Sequence, residues 1–394
     1  MKNNRFQSRV ILPLMYDSLQ FPGDDELLLA KLHDLWGFVN RDNEVVIPFQ
    51  FDEIEVAPGD TFVHGMVPIS RHGKWGFINR FEETIIPFLY DEARYPFETM
   101  ICAKRSGKWG AMDLNGKPLV PYSYDDLAES GLADCLAAEL NGKLGVIHTR
   151  GEVVIPFAYD ELRFEENMTV GTAKRNGRSM LVDRFGRPIG SSTFDVLGYF
   201  SEGLCHAARD GRWGYIDSKG ETVLPFQYDK VMGGFHNGFA KVMLQGKWGI
   251  VNPSGEHILS PIYDEIRWND KDDHMAARLH GKWGVIDRQA RPILPYKYDA
   301  VSLIYDGMVA VKQEGKYSLI DLQGSERLPQ KYDQLALFPN GLLTASIGGK
   351  TGLIDTTGYE ILPCVYDNLF SPGQTVIAAM DIHSRLKYGV FELY

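Results

Sequence analysis

Residues 211–229 read GRWGYIDSKGETVLPFQYD, and residues 73–91 read GKWGFINRFEETIIPFLYD. Both run Gly, Lys or Arg, Trp-Gly, two apolar residues, Asp or Asn, a polar turn, then an apolar run closing on Pro-x-x-Tyr-Asp. Worked outward, this frame recurs along the whole chain, and self-similarity at such a period defines a repeat architecture. A Tyr-Asp or Phe-Asp pair ends at Asp17, Asp52, Asp91, Asp125, Asp160, Asp195, Asp229, Asp264, Asp299, Asp333 and Asp367, at spacings of 34 to 39 residues. We number the copies 1 to 11 by these aspartates. Proline stands four places before the Asp in nine copies, while copy 6 has Ser191 there and copy 8 has Pro261 one place late. Trp36, Trp75, Trp109, Trp213, Trp248 and Trp283 each precede a Gly, and Leu144, Ser179, Tyr317, Thr351 and Tyr388 hold that place elsewhere.

Each recurrent residue has a physical reason. Glycines at two turns supply the positive φ that tight hairpins require. Proline removes a backbone donor, so its strand belongs at an edge. The Asp after Tyr is read as an Asx-turn residue accepting from the amide two places on. Three-stranded units cannot bury their apolar faces alone, so neighbours must stack. The predicted fold is therefore all-β: one array over residues 1–394 of about eleven three-stranded units, stacked as a solenoid, superhelix or propeller-like spiral. The terminal units are incomplete. The opening strand Val10-Ile11-Leu12-Pro13 and the closing strand Tyr388-Gly389-Val390-Phe391 would together complete one unit.

Composition narrows function. Hydrophobic residues at 44% and charged residues at 24% are those of an ordinary globular protein. No apolar run is long enough to span a membrane, and the first residues lack a signal-peptide pattern, so a cytoplasmic location is expected. A net charge of −11 disfavours nucleic-acid and anionic-membrane partners. Cys102, Cys135, Cys205 and Cys364 form no C-x-x-C pair and are read as small buried apolar residues. Gly349-Lys350-Thr351 invites a phosphate-loop reading, but the first glycine of that motif would fall on Thr344, and the tripeptide sits in the Gly-Lys-Trp frame. No catalytic or metal spacing is found, so no metal and no cofactor are expected.

The frame resembles the bacterial WG-repeat (KWG-repeat) family, and eleven copies in register carry that resemblance over nearly the whole chain. It implies a β-rich, modular fold and no particular chemistry. An indole beside Gly, at Trp75, Trp109, Trp213, Trp248 and Trp283, is expected to fill the seam between copies. Exposed indoles would instead favour glycan or cell-wall binding. The Asp column, including Asp229 and Asp264, is assigned a structural role, because an active site is needed once and not eleven times.

Function is sought where copies break the frame. Between residues 171 and 195 the Trp-Gly pair becomes Ser179-Met180 and the Pro-x-x-Tyr-Asp strand is lost. The same window holds Lys174, Arg175, Arg178, Arg184 and Arg187 against one acid, Asp183. A second irregularity is the acidic stretch from Trp268 to Asp273. The expected function is a non-enzymatic scaffold that presents a long, mostly acidic face to another protein, for which the net charge favours a basic or apolar partner, with the irregular window as part of the binding surface. Family-level analogy suggests an immunity or antitoxin role in a bacterial conflict system.

Overall fold

The computed structural model describes residues 8–20, 27–57, 60–165, 169–268, 273–302, 304–337, 341–370, 375–382 and 385–393. Each copy forms its own antiparallel sheet, and we number a sheet by the copy whose Asp closes it. Sheet 5 shows the pattern. Strand A is Asp126–Glu129, B is Cys135–Leu140, C is Lys143–His148 and D is Val153–Tyr159, hydrogen-bonded in that order. Among the described residues nine of the eleven sheets have four strands, where three per unit were expected. The additional strand is A, the short segment after the repeat Asp, as brief as Glu92–Ala93 in sheet 4.

Among the described residues no strand of one sheet is hydrogen-bonded into the next. A solenoid would instead run continuous sheets through successive coils, so the fold is all-β and propeller-like, built from separate blade-like sheets. In sheet 1, strands Asn368–Phe370, Thr375–Ile382 and Arg385–Leu393 come from the end of the chain, and the D strand, Ser8–Tyr16, comes from its beginning. Their register pairs Val10 with Phe391 and Tyr16 with Tyr388, which completes the unit as the two part-strands implied.

The chain divides into two compact units. One comprises Met1–Tyr16, Arg212–Gly214 and Val223–Tyr394, the other Asp17–Gly211 and Tyr215–Thr222. Within each, the core lies between successive sheets. Trp109, Val120 and Tyr124 of sheet 4 pack with Leu127, Leu136 and Ile147 of sheet 5. Trp283, Leu294 and Tyr298 of sheet 9 pack likewise with Val301, Val309 and Ile320 of sheet 10. The proline-bearing D strand is the terminal strand of its sheet, where a missing amide leaves no gap in a ladder.

The Gly after Trp has a different reason from the turn glycines. Gly107 and Gly116 sit at φ 79° and 82°, in the left-handed region. Gly76 instead lies beneath a bulge in strand D, and a Cβ built there would stand 2.7 Å from the Ile86 carbonyl oxygen and 2.9 Å from the Phe88 nitrogen. In sheets 4, 5 and 9 the aromatic ring three places before the Asp, at Tyr122, Phe157 or Tyr296, also closes over that glycine, within 2.9 Å of such a Cβ. Two copies lack the glycine, at Met180 and Ser318, and there the overlying residue becomes Ser192 and Gln330. In sheet 6 the exchange goes further. Met180 packs against the core shared with sheet 5, and strand D is reduced to isolated bridges between Ser179 and Phe194 and between Val182 and Pro188.

Candidate functional site

The two ends of each sheet have different duties. B–C turns and D–A junctions lie at one end, A–B loops and C–D turns at the other. At the first end the repeat Asp joins successive sheets. In sheet 3, Lys74 Nζ donates to Asp91 Oδ1 at 2.6 Å, while Oδ2 accepts from the Gly107 amide of sheet 4 at 2.9 Å. Asp264 repeats this with Lys247 at 2.5 Å and the Gly281 amide at 2.8 Å, and Asp229 with Arg212 and the Gly246 amide. These carboxyls are held below the usual range. At Asp91 and Asp264 the chief cause is the lysine bond, and at Asp229 it is the Gly246 amide. The amide partner lies in the next sheet's B–C turn, not two residues on as an Asx-turn would have it. Asx-turns are made instead at the C–D turns, by the other acidic column: Asp113 Oδ1 accepts from the Asn115 amide at 2.9 Å and the Lys117 amide at 2.8 Å.

The indoles are seam residues. Trp75, Trp109, Trp248 and Trp283 are 4 to 9% exposed, whereas Trp213 is only half-buried. Cations cover the ring faces: the Arg94 guanidinium lies 4.3 Å from the Trp109 ring centroid, and Lys241 Nζ lies 4.5 Å from that of Trp248. Such rings offer no face for stacking on a sugar. Cys102 and Cys205 are buried, Cys135 and Cys364 half-buried, and burial pushes the Cys102 and Cys205 thiols up to about 12.

At the opposite end of sheets 4 to 6 the loops enclose a cleft of 310 Å³. Its apolar lining comes from Phe97, Leu132, Ala133 and Val154, and its charged lining from Glu98, Glu129 and Arg184. The basic window divides accordingly. Lys174 pairs with Glu161 at 2.9 Å and Arg178 with Asp195 at 2.8 Å, both in places where other copies make the same pairs. Arg175 is exposed beside the B–C turn, at the end of sheet 6 opposite the cleft, and joins no ion pair among the described residues. The Arg184 and Arg187 guanidiniums flank the ring of Phe185, 5.1 and 5.4 Å from its centroid, and that ring is 48% exposed. The sequence reading missed Phe185 and the cleft, because loops drawn from three copies carry no shared pattern. Trp268 is half-buried against the core of sheets 8 and 9, in the other unit, and residues 269–272 of its acidic stretch lie outside the described residues.

Seven segments, residues 36–74, 75–109, 145–170, 213–248, 248–282, 283–317 and 352–372, match the family model described as WG containing repeat, together more than half of the chain. No curated protein matches. Similar solved structures include a eukaryotic initiation factor, 14% identical with TM-score 0.37, covering 73% of this chain and 92% of that one. PorZ, a surface component of the type-IX secretion system of Porphyromonas gingivalis, is 11% identical with TM-score 0.27, over 94% of this chain and 63% of that one. The extracellular domain of BT4673 from B. thetaiotaomicron is 10% identical with TM-score 0.29, over 95% and 74%. These likenesses are too distant to bear on function.

Proposed function

The chain belongs to the WG-containing repeat family, and on that premise we propose that it is a non-enzymatic scaffold that binds another protein at the loop end of sheets 4 to 6. One observation carries this reading: the irregular copy 6 sets Arg184, Phe185 and Arg187 beside an apolar-floored cleft. Arginine and aromatic residues around a desolvatable pocket are the usual anchors of protein interfaces. Arg184 and Arg187 would favour an acidic segment of the partner, since guanidinium makes bidentate bonds to carboxylates. The aspartate column supports a role without catalysis, because its oxygens are committed to lysine and backbone bonds repeated from copy to copy.

Neutralising a toxin in a bacterial conflict system is a task such a surface suits. Glycan binding through the repeated aromatics is disfavoured by indoles that are buried and covered by cations. Comparative affinity capture tests the reading. Wild type and an Arg184→Glu, Arg187→Glu variant serve as baits in lysate of the native host. A protein retained by wild type and absent from the variant supports the proposal, and an identical set of captured proteins contradicts it.

A further inference from the structure

Sheet 11 departs from the repeat in another way. Thr351 stands where six copies carry Trp, and Ser346 is its cross-strand partner. In sheet 4 the equivalent indole, Trp109, packs against Leu127 of the next sheet. Thr351 and Leu369 hold the same two places, and between sheets 10, 11 and 1 there is a cleft of 370 Å³ where an indole would lie. This volume falls in the range of small-molecule sites, about 300 to 1,000 Å³.

The lining of this cleft is hydroxyl and amide. Ser346 Oγ and Thr351 Oγ1 lie 2.9 Å apart, and Gln334, Thr344 and Asn368 line the same space with side chains that make no hydrogen bond among the described residues. Tyr317 forms one wall, its ring covered by Lys312, whose Nζ lies 5.3 Å from the ring centroid. The repeat carboxylate at the rim, Asp333, is already committed to Lys316 and to the Gly348 amide. The groups left over are neutral donors and acceptors together with the Lys312 ammonium, which complement the hydroxyls of a sugar.

We propose that this cleft binds a small polyhydroxylated ligand of the monosaccharide class, through Gln334, Thr344, Asn368 and the Ser346–Thr351 hydroxyl pair. The site shares no residue with the proposed protein-binding surface and does not depend on it. It also differs from sugar stacking on the repeat indoles, since it exists where the indole is missing.

The test uses the full chain and titrates glucose, N-acetylglucosamine and glucuronate by calorimetry against wild type, Thr351→Trp and Asn368→Ala. Thr351→Trp restores the residue that the repeat uses, and the Ser70–Trp75 pair shows that serine fits opposite an indole. Saturable binding of at least one sugar, abolished in Thr351→Trp and weakened about tenfold in Asn368→Ala, is the expected result. Absence of saturable binding by all three sugars would overturn the proposal, and so would equal affinity in Thr351→Trp. Should that variant fail to fold, unchanged affinity in Asn368→Ala would overturn it alone.

Discussion

At the scale of single residues, the repeat is a set of steric and hydrogen-bonding demands. The glycine after Trp answers to a backbone carbonyl, so Gly76→Ala has no flexible side chain to push aside. We expect a loss of about 1 to 3 kcal/mol, the cost of overpacking, measured by urea unfolding. The aspartates answer to charge. Asp264 has a depressed folded pKa, so the stability it lends is fully present above the unfolded carboxylate value of about 3.9 and is lost as pH falls through the folded value. Lys247→Met removes the chief cause of that depression. The melting-temperature gap between wild type and Lys247→Met should therefore be steady above about pH 5 and close as pH falls below about 4. A gap that widens on acidification would refute the clamp.

At the scale of the element, the glycine and the aromatic above it act as a pair. Ser318 and Gln330 replace both in sheet 10, and Ser318 is buried. In a double-mutant cycle, Ser318→Gly and Gln330→Phe should together be more stable than the sum of the single changes by about 0.5 kcal/mol or more, because the ring fits only above a residue without a Cβ. Strict additivity would refute the pairing. Strands B, C and D, the turns and the proline edge were legible in sequence, because each needs a residue type at a fixed offset. Strand A was not. Two residues such as Lys230 and Val231 are too few to show a period. The partner of the repeat Asp was also hidden, since a backbone amide leaves no mark in sequence. Its lysine or arginine partner was visible in principle, 17 residues upstream in every pair from Lys74–Asp91 to Lys350–Asp367. Likewise, composition revealed the basic window but not that Lys174 and Arg178 already serve the repeat's own pairs.

At the scale of the whole molecule, the constraints fall unevenly. One end of each sheet carries the aspartate clamp and repeats closely, while the other end carries loops whose length and composition change from copy to copy. Function is placed on the variable end, at copies 4 to 6. The central claim is that Arg184 and Arg187 steer an acidic partner onto that surface. Exposed charges act mainly on association rate and lose their effect as salt rises. The most direct measurement is the association rate of the captured partner with wild type and the Arg184→Glu, Arg187→Glu variant, followed by stopped flow from low to high ionic strength. The account predicts association slowed by about tenfold or more at low salt, converging toward wild type at high salt, with the melting temperature within about 2 °C of wild type. Equal association rates for both proteins at low salt would contradict it.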